Sequence, residues 1–263
     1  MMDLFDKRAP TSDADGEGYG SSGEMKKTQY MLQLLGTPWD PDTLKCILAA
    51  AEQGMELKSG YLDTLADEQD SEEYRELFEF GTYPSLKESD YTLAGVTGIL
   101  AFINARGLGY SLTPKNITVA AVQDFWIDVA ITEATPNIQA LVQEKVVNQL
   151  KDPNCAVDML VCAAAKENLV PILDALDKQI GDDPYIIGKY SFADIHWTAL
   201  IHLLLLTGEG ADLVQQRSQI NRWYSSLATR KSNSGQSIVS FSLLPSLEDI
   251  KNKKLSYVVI DDF

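Results

Sequence analysis

A chain of 263 residues, 45% hydrophobic and 23% charged, has the composition of a globular protein that forms one large domain or two smaller ones. Its 38 acidic against 22 basic residues leave a net charge of −16, and no basic cluster offsets it, so nucleic acid and anionic membrane are not expected partners. Cys46, Cys155 and Cys162 form no C-x-x-C pair and no even disulfide set, which fits a cytoplasmic setting, and two histidines on different helical faces make a metal site unexpected.

Residues 1–24 are rich in Gly, Ser and Asp and poor in apolar side chains, as in a disordered acidic arm. Gly16-Glu17-Gly18-Tyr19-Gly20 resembles a phosphate loop, but no strand precedes it and it reads as linker. Tyr30 to Leu35 then forms a short apolar run stopped by Gly36, the pattern of a buried strand. Asp40-Pro41 opens a helix whose Leu44, Ile47, Leu48 and Ala51 share a face up to Gly54, with Asp40 as its cap.

Leu57 to Leu62 reads as a second strand and Ser71 to Phe78 as a second helix. Tyr83 to Lys87, a turn at Glu88-Ser89-Asp90, and Tyr91 to Leu93 read as a hairpin, and Gly95 to Arg106 as a helix. The order β-α-β-α-β-β-α over residues 25–106 is that of a thioredoxin-like α/β domain. Residues 107–118, with Gly109 and Pro114, form a linker. Asn116-Ile117-Thr118 matches a glycosylation acceptor, but no signal peptide is recognised and the match is read as chance.

Residues 119–232 read as an all-helical C-terminal domain. A helix over Val119 to about Leu150 is expected to break at Pro136, and one over Ala156 to Ile180 to bend or break near Pro171. Ser191-x-x-Asp194 is an N-terminal capping box, with Tyr190 and Ile195 placed for a hydrophobic staple. The run that follows, to Gly208, is apolar on nearly every side, which predicts a helix buried at the centre of the domain. His196 and His202 interrupt it, and its uninterrupted apolar part is too short to span a bilayer, so no membrane insertion is expected. Val214 to Arg230 carries Ile220, Trp223, Tyr224 and Leu227 at core spacing. Residues 233–263 form an extension whose apolar pieces are expected to dock on the parent domain, over the cleft, or on a protein partner.

Three segments carry a family resemblance: L-L-G-T-P-W-D-P-D-T-L-K-C, F-G-T-Y-P-S-L-K-E-S-D-Y-T-L-A-G-V-T-G, and I-G-K-Y-S-F-A-D-I with the later I-N-R-W-Y-S-S-L-A-T-R. They resemble the glutathione transferases and together cover roughly residues 28–232. The resemblance implies a thioredoxin-like domain followed by an all-α domain, a homodimer, and glutathione as ligand or substrate without a metal. It places glutathione along Trp39, Asp40, the cis-proline element Tyr83-Pro84, and Gly95-Val96.

Against that pattern, two positions depart. Where many members carry Ser-Pro or Cys-Pro, this chain has Asp40-Pro41, and a carboxylate beside a developing thiolate raises the thiol pKa. Where members carry Glu-Ser for the γ-glutamyl group, it has Gly95-Val96, losing charge-assisted bonds that contribute about 1.5–3 kcal/mol each. Thr37 is the nearest hydroxyl that could activate a thiol, and Cys46 reads as a buried apolar residue. The leading expectation is a glutathione-transferase-like protein of weak or absent conjugating activity, serving as a binding or assembly module. The alternatives are an active transferase or glutathione-dependent thiol reductase, and a carrier of an apolar ligand between the domains.

Overall fold

In the computed structural model, residues 32–88, 91–232, 234 and 238–255 are described. The N-terminal arm, Tyr30 and Met31, the Ser89-Asp90 turn, and the extension beyond Leu255 lie outside them. The first strand, β1 (Leu32–Gly36), pairs in parallel with β2 (Leu57–Tyr61) and antiparallel with β3 (Ser85–Glu88), which pairs antiparallel with β4 (Tyr91–Ala94). The resulting sheet order is β2-β1-β3-β4.

Strand alternation divides the side chains between the two faces of this sheet. Leu32, Leu34, Leu57 and Leu86 join the main core with α1 (Pro41–Glu52) and α3 (Val96–Arg106). On the other side, α2 (Glu72–Leu77) supplies Tyr74, which packs with Phe78 and Leu62 in a small separate cluster touching Leu35. Gly36 is required where β1 meets α1, because a Cβ there would lie 2.3 Å from the Thr43 hydroxyl.

The chain then enters an all-helical region. Asn116 caps α4 (Ile117–Val129), its Oδ1 accepting from the Thr118 and Val119 N–H groups, so the glycosylation-like triplet has a local structural use. The expected break at Pro136 does not occur. Helical backbone continues from α4 through a π turn (Ala130–Ala134), α5 (Thr135–Val142), a second π turn (Gln143–Val147) and α6 (Asn148–Lys151). The π turn just before Pro136 accommodates it, and the Thr135 hydroxyl donates to the Ala130 carbonyl at 2.7 Å.

Pro171 likewise does not break α7 (Met159–Ile180); it sits on the exposed face of the helix. The reverse correction falls at Val214 to Arg230, which is two helices, α9 (Ala211–Gln215) and α10 (Ser218–Leu227). Between them the buried Arg217 donates to the carbonyls of Leu213 and Val170 and pairs with Asp174, while Asp177 accepts the N–H groups of Gln219 and Ile220. Those tertiary bonds replace helical ones.

The central helix, α8 (Phe192–Leu206), lies against both α1 and α4 and buries its residues from Phe192 through Ile201. Asp194 accepts four hydrogen bonds: from Ser191 N–H and hydroxyl on Oδ2, and from Ile186 N–H and Trp223 Nε1 on Oδ1. Burial nonetheless pushes its carboxyl up to about 6.

The described part of the extension docks on the parent fold. Ile238, Phe241, Leu244, Ile250 of α11 (Leu247–Lys251) and Leu255 pack into the main core. His202 binds the Pro245 carbonyl at 2.8 Å, and the Ser240 hydroxyl reaches the buried Glu52 at 2.7 Å. Arg230 pairs with both Glu52 oxygens, its guanidinium 3.5 Å from the Tyr190 ring centroid. Lys253 ties the end of this segment to Asp63, just past β2.

Candidate functional site

Between the sheet domain and the helices lies a cleft of about 470 Å³. Trp39, Asp40, Thr64, Leu65, Gln69 and Tyr83 form one wall, and Gln139, Gln143, Val147 and Lys151, from α5 to α6, the other. The larger groove, about 920 Å³, lies between residues 110–116 and 185–191. Of the residues predicted for the site it holds only Ser191, so the chemistry belongs to the smaller cleft.

Asp40 sits at the junction of β1 and α1. Its extended backbone and its side chain make it the cap of α1: Oδ2 accepts from the Thr43 N–H at 2.8 Å and from the Thr43 hydroxyl at 2.7 Å. Oδ1 has no hydrogen-bond partner among the described residues, and Asp40 lines the cleft. Burial, then repulsion from Asp42, pushes the carboxyl up to about 6, against the hydrogen bonds from Thr43 and the charge of Lys45. Lys45 is itself buried and bonded to Asp42 at 2.6 Å.

Tyr83 precedes a cis peptide bond to Pro84, as the hairpin motif predicts. Its ring is at the cleft, and burial together with the Asp40 charge raises its phenol above the ordinary value. Trp39 is almost wholly buried and meets Tyr61 edge to face at 5.9 Å. Pro84 is buried behind Tyr83, and its carbonyl accepts the Gly95 N–H at 3.0 Å. Gly95 caps α3 with φ 90°, a conformation that favours glycine, and presents no side chain to a ligand. Val96 is half-buried; neither it nor Gly95 lines the cleft.

Thr37, the hydroxyl predicted for thiol activation, is fully buried and does not line the cleft. Its N–H donates to the Thr43 hydroxyl at 3.3 Å, and its own Oγ1 has no partner among the described residues. Cys46 is also fully buried, and burial, with Asp42 and Asp40 adding to it, holds its thiol well above the ordinary range. The structure therefore brings Trp39, Asp40 and Tyr83 together and leaves Thr37, Gly95 and Val96 off the cleft surface.

Sequence reasoning missed Thr64, Leu65, Gln69 and the whole helical wall. Gln139 and Gln143 are spaced one helical turn apart, but polar residues at that spacing are ordinary on a solvated helix and signal no cleft. Among the described residues there is no group of three or more side chains able to hold a metal ion, and no helix long and apolar enough to cross a membrane.

No protein-family model matches the chain. It is similar to glutathione S-transferase F14 of Arabidopsis thaliana, 26% identical over 185 residues that cover 68% of this chain and 72% of that protein. Over 101 residues, 38% of this chain and 40% of the other, it is 31% identical to the tetrachloro-p-hydroquinone reductive dehalogenase of Sphingobium chlorophenolicum. Among solved structures, glutathione transferase F7 from Populus trichocarpa superposes with a TM-score of 0.67 at 26% identity, covering 76% of this chain and 94% of that one.

Proposed function

We propose that this chain, which belongs to the glutathione S-transferase superfamily, conjugates glutathione weakly or not at all and uses its interdomain cleft to bind a ligand, as a binding or assembly module. The observation that carries this reading is Asp40. It stands at the start of α1, where the family pattern implies a thiol-activating hydroxyl or thiol; it lines the cleft and keeps one carboxylate oxygen without a partner among the described residues. When ionised it disfavours a thiolate beside it. The loss of side-chain anchors at Gly95 and Val96 acts in the same direction.

Glutathione remains a weak ligand in this reading, held by the Tyr83 backbone. The rival transferase or reductase with Thr37 as activating hydroxyl is disfavoured by the complete burial of that residue. A homodimer in the cytoplasm is part of the same proposal. Tyr91 of β4 and Val122 and Phe125 of α4 are exposed apolar side chains that such an interface would cover.

The test is calorimetric titration with glutathione together with a turnover assay using a generic aryl halide. Affinity weaker than millimolar and no turnover above the uncatalysed rate are expected. Tight binding with clear turnover refutes the proposal. Size-exclusion chromatography with light scattering reads the oligomeric state.

A further inference from the structure

The cleft presents a carboxylate where a thiol site would present a hydroxyl. Asp40 Oδ1 is left over after Oδ2 has taken both bonds from Thr43. Gln69 turns its amide nitrogen to Asp70, and its Oε1, shielded from solvent, has no partner among the described residues. Both residues line the cleft, and Trp39 and Tyr83 beside them offer ring surfaces that attract cations.

Charge favours the same ligand. Asp40 is the one carboxylate among the lining residues, and Asp42 adds negative potential behind it. Lys45, whose charge acts on Asp40, is engaged with Asp42 and almost fully buried. Lys151, the one cation of the lining, comes from the end of α6 on the opposite wall, where it is exposed to water. The net charge of −16 draws cations toward the molecule.

From this arrangement we infer that the cleft takes a protonated amine, its N–H groups donating to Asp40 Oδ1 and its apolar body lying against Trp39, Leu65 and Tyr83. The inference rests on the cleft being a ligand site, and it adds the chemical class of the ligand. It also gives the substitution at Asp40 a positive use: the carboxylate that disfavours a thiolate stabilises an ammonium ion in the same place.

The experiment compares three probes of similar shape, phenethylamine, 2-phenylethanol and 3-phenylpropionate, by ligand-observed NMR titration on the full chain. The amine is expected to bind at least about tenfold more tightly than the alcohol, as a charge-assisted bond in a partly buried site requires, and the carboxylate least. Asp40→Asn keeps a good helix cap, so the fold is retained while the charge is removed. In that variant the preference for amine over alcohol should vanish. Gln143→Trp, which fills the opposite wall, should abolish binding, and Lys151→Met should tighten the amine several-fold.

Equal or tighter binding of the carboxylate or alcohol overturns the amine inference and leaves the cleft as a ligand site of another class. A preference that persists in Asp40→Asn, or binding that survives Gln143→Trp, overturns it as well. If none of the three probes binds, the inference falls together with the reading of the cleft as a ligand site. Glutathione turnover bears on the conjugation proposal alone.

Discussion

Asp194 and Asp40 are both aspartates at the start of a buried helix, and burial pushes both carboxyls up to about 6. Their surroundings differ in one respect. Asp194 spends both oxygens on four donors from Ser191, Ile186 and Trp223 and joins three segments of the helical domain. Asp40, which lines the cleft, spends one oxygen on Thr43 and leaves the other without a partner among the described residues. A carboxylate with every lone-pair direction engaged is part of the scaffold; one with an open oxygen beside aromatic rings is available to a ligand.

The largest expected effect comes from breaking the scaffold member. Asp194→Ala strands two backbone N–H groups, a Ser hydroxyl and the Trp223 indole N–H in the core, and should cost about 3–5 kcal/mol. Urea denaturation followed by tryptophan fluorescence measures it. A loss below about 1 kcal/mol would mean that the four bonds do not hold the domain as described.

A smaller effect is expected at the other member. Asp40→Ala should cost about 1 kcal/mol through loss of the α1 cap, whereas Asp40→Asn should stay within about 0.5 kcal/mol because asparagine caps equally well. If Asp40→Asn were as damaging as Asp194→Ala, the two aspartates would share one role and the comparison would fail.

The third expected effect is a pH dependence. A carboxyl at about 6 when folded and at 3.8 when unfolded binds its proton more tightly in the fold, so its contribution to stability is greatest below pH 3.8 and falls as pH rises toward 6. Above about 6 it is constant. Burial lowers the pKa of His196 and His202, and these act in the opposite sense, favouring the fold as pH rises toward their unfolded value of 6.5. The difference in stability between the parent and Asp40→Asn, measured from pH 4 to 7, isolates one carboxyl. That difference should slope between about 4 and 6 and flatten above, and a flat difference throughout would show that Asp40 titrates in the fold as it does unfolded.

Much of this fold was legible from local patterns. The caps at Asp40 and at Ser191 with Asp194, and the Tyr83-Pro84 element, follow from contacts within a few residues or from one peptide bond. The expected break at Pro136 was misread, because proline's local penalty was offset there by a π turn; at Pro171 the helix continues, with the ring on an exposed outer face. The break at Arg217 could not be read at all, since it depends on Val170 and Asp174 in another helix.

The candidate site was less legible for the same reason. Thr37 and Asp40 lie three residues apart and both are polar, yet packing turns the first into the core and leaves the second at the cleft. The sequence by itself determined the order of the elements, their caps and the acidic character of the chain, because these depend on neighbours in the chain and on composition. Only the tertiary structure decided that Asp40 and Gln69 share a cleft with Trp39 and Tyr83 while Asp194 is saturated. Those outcomes depend on which distant surfaces meet and on which polar atoms are left with partners once they have met.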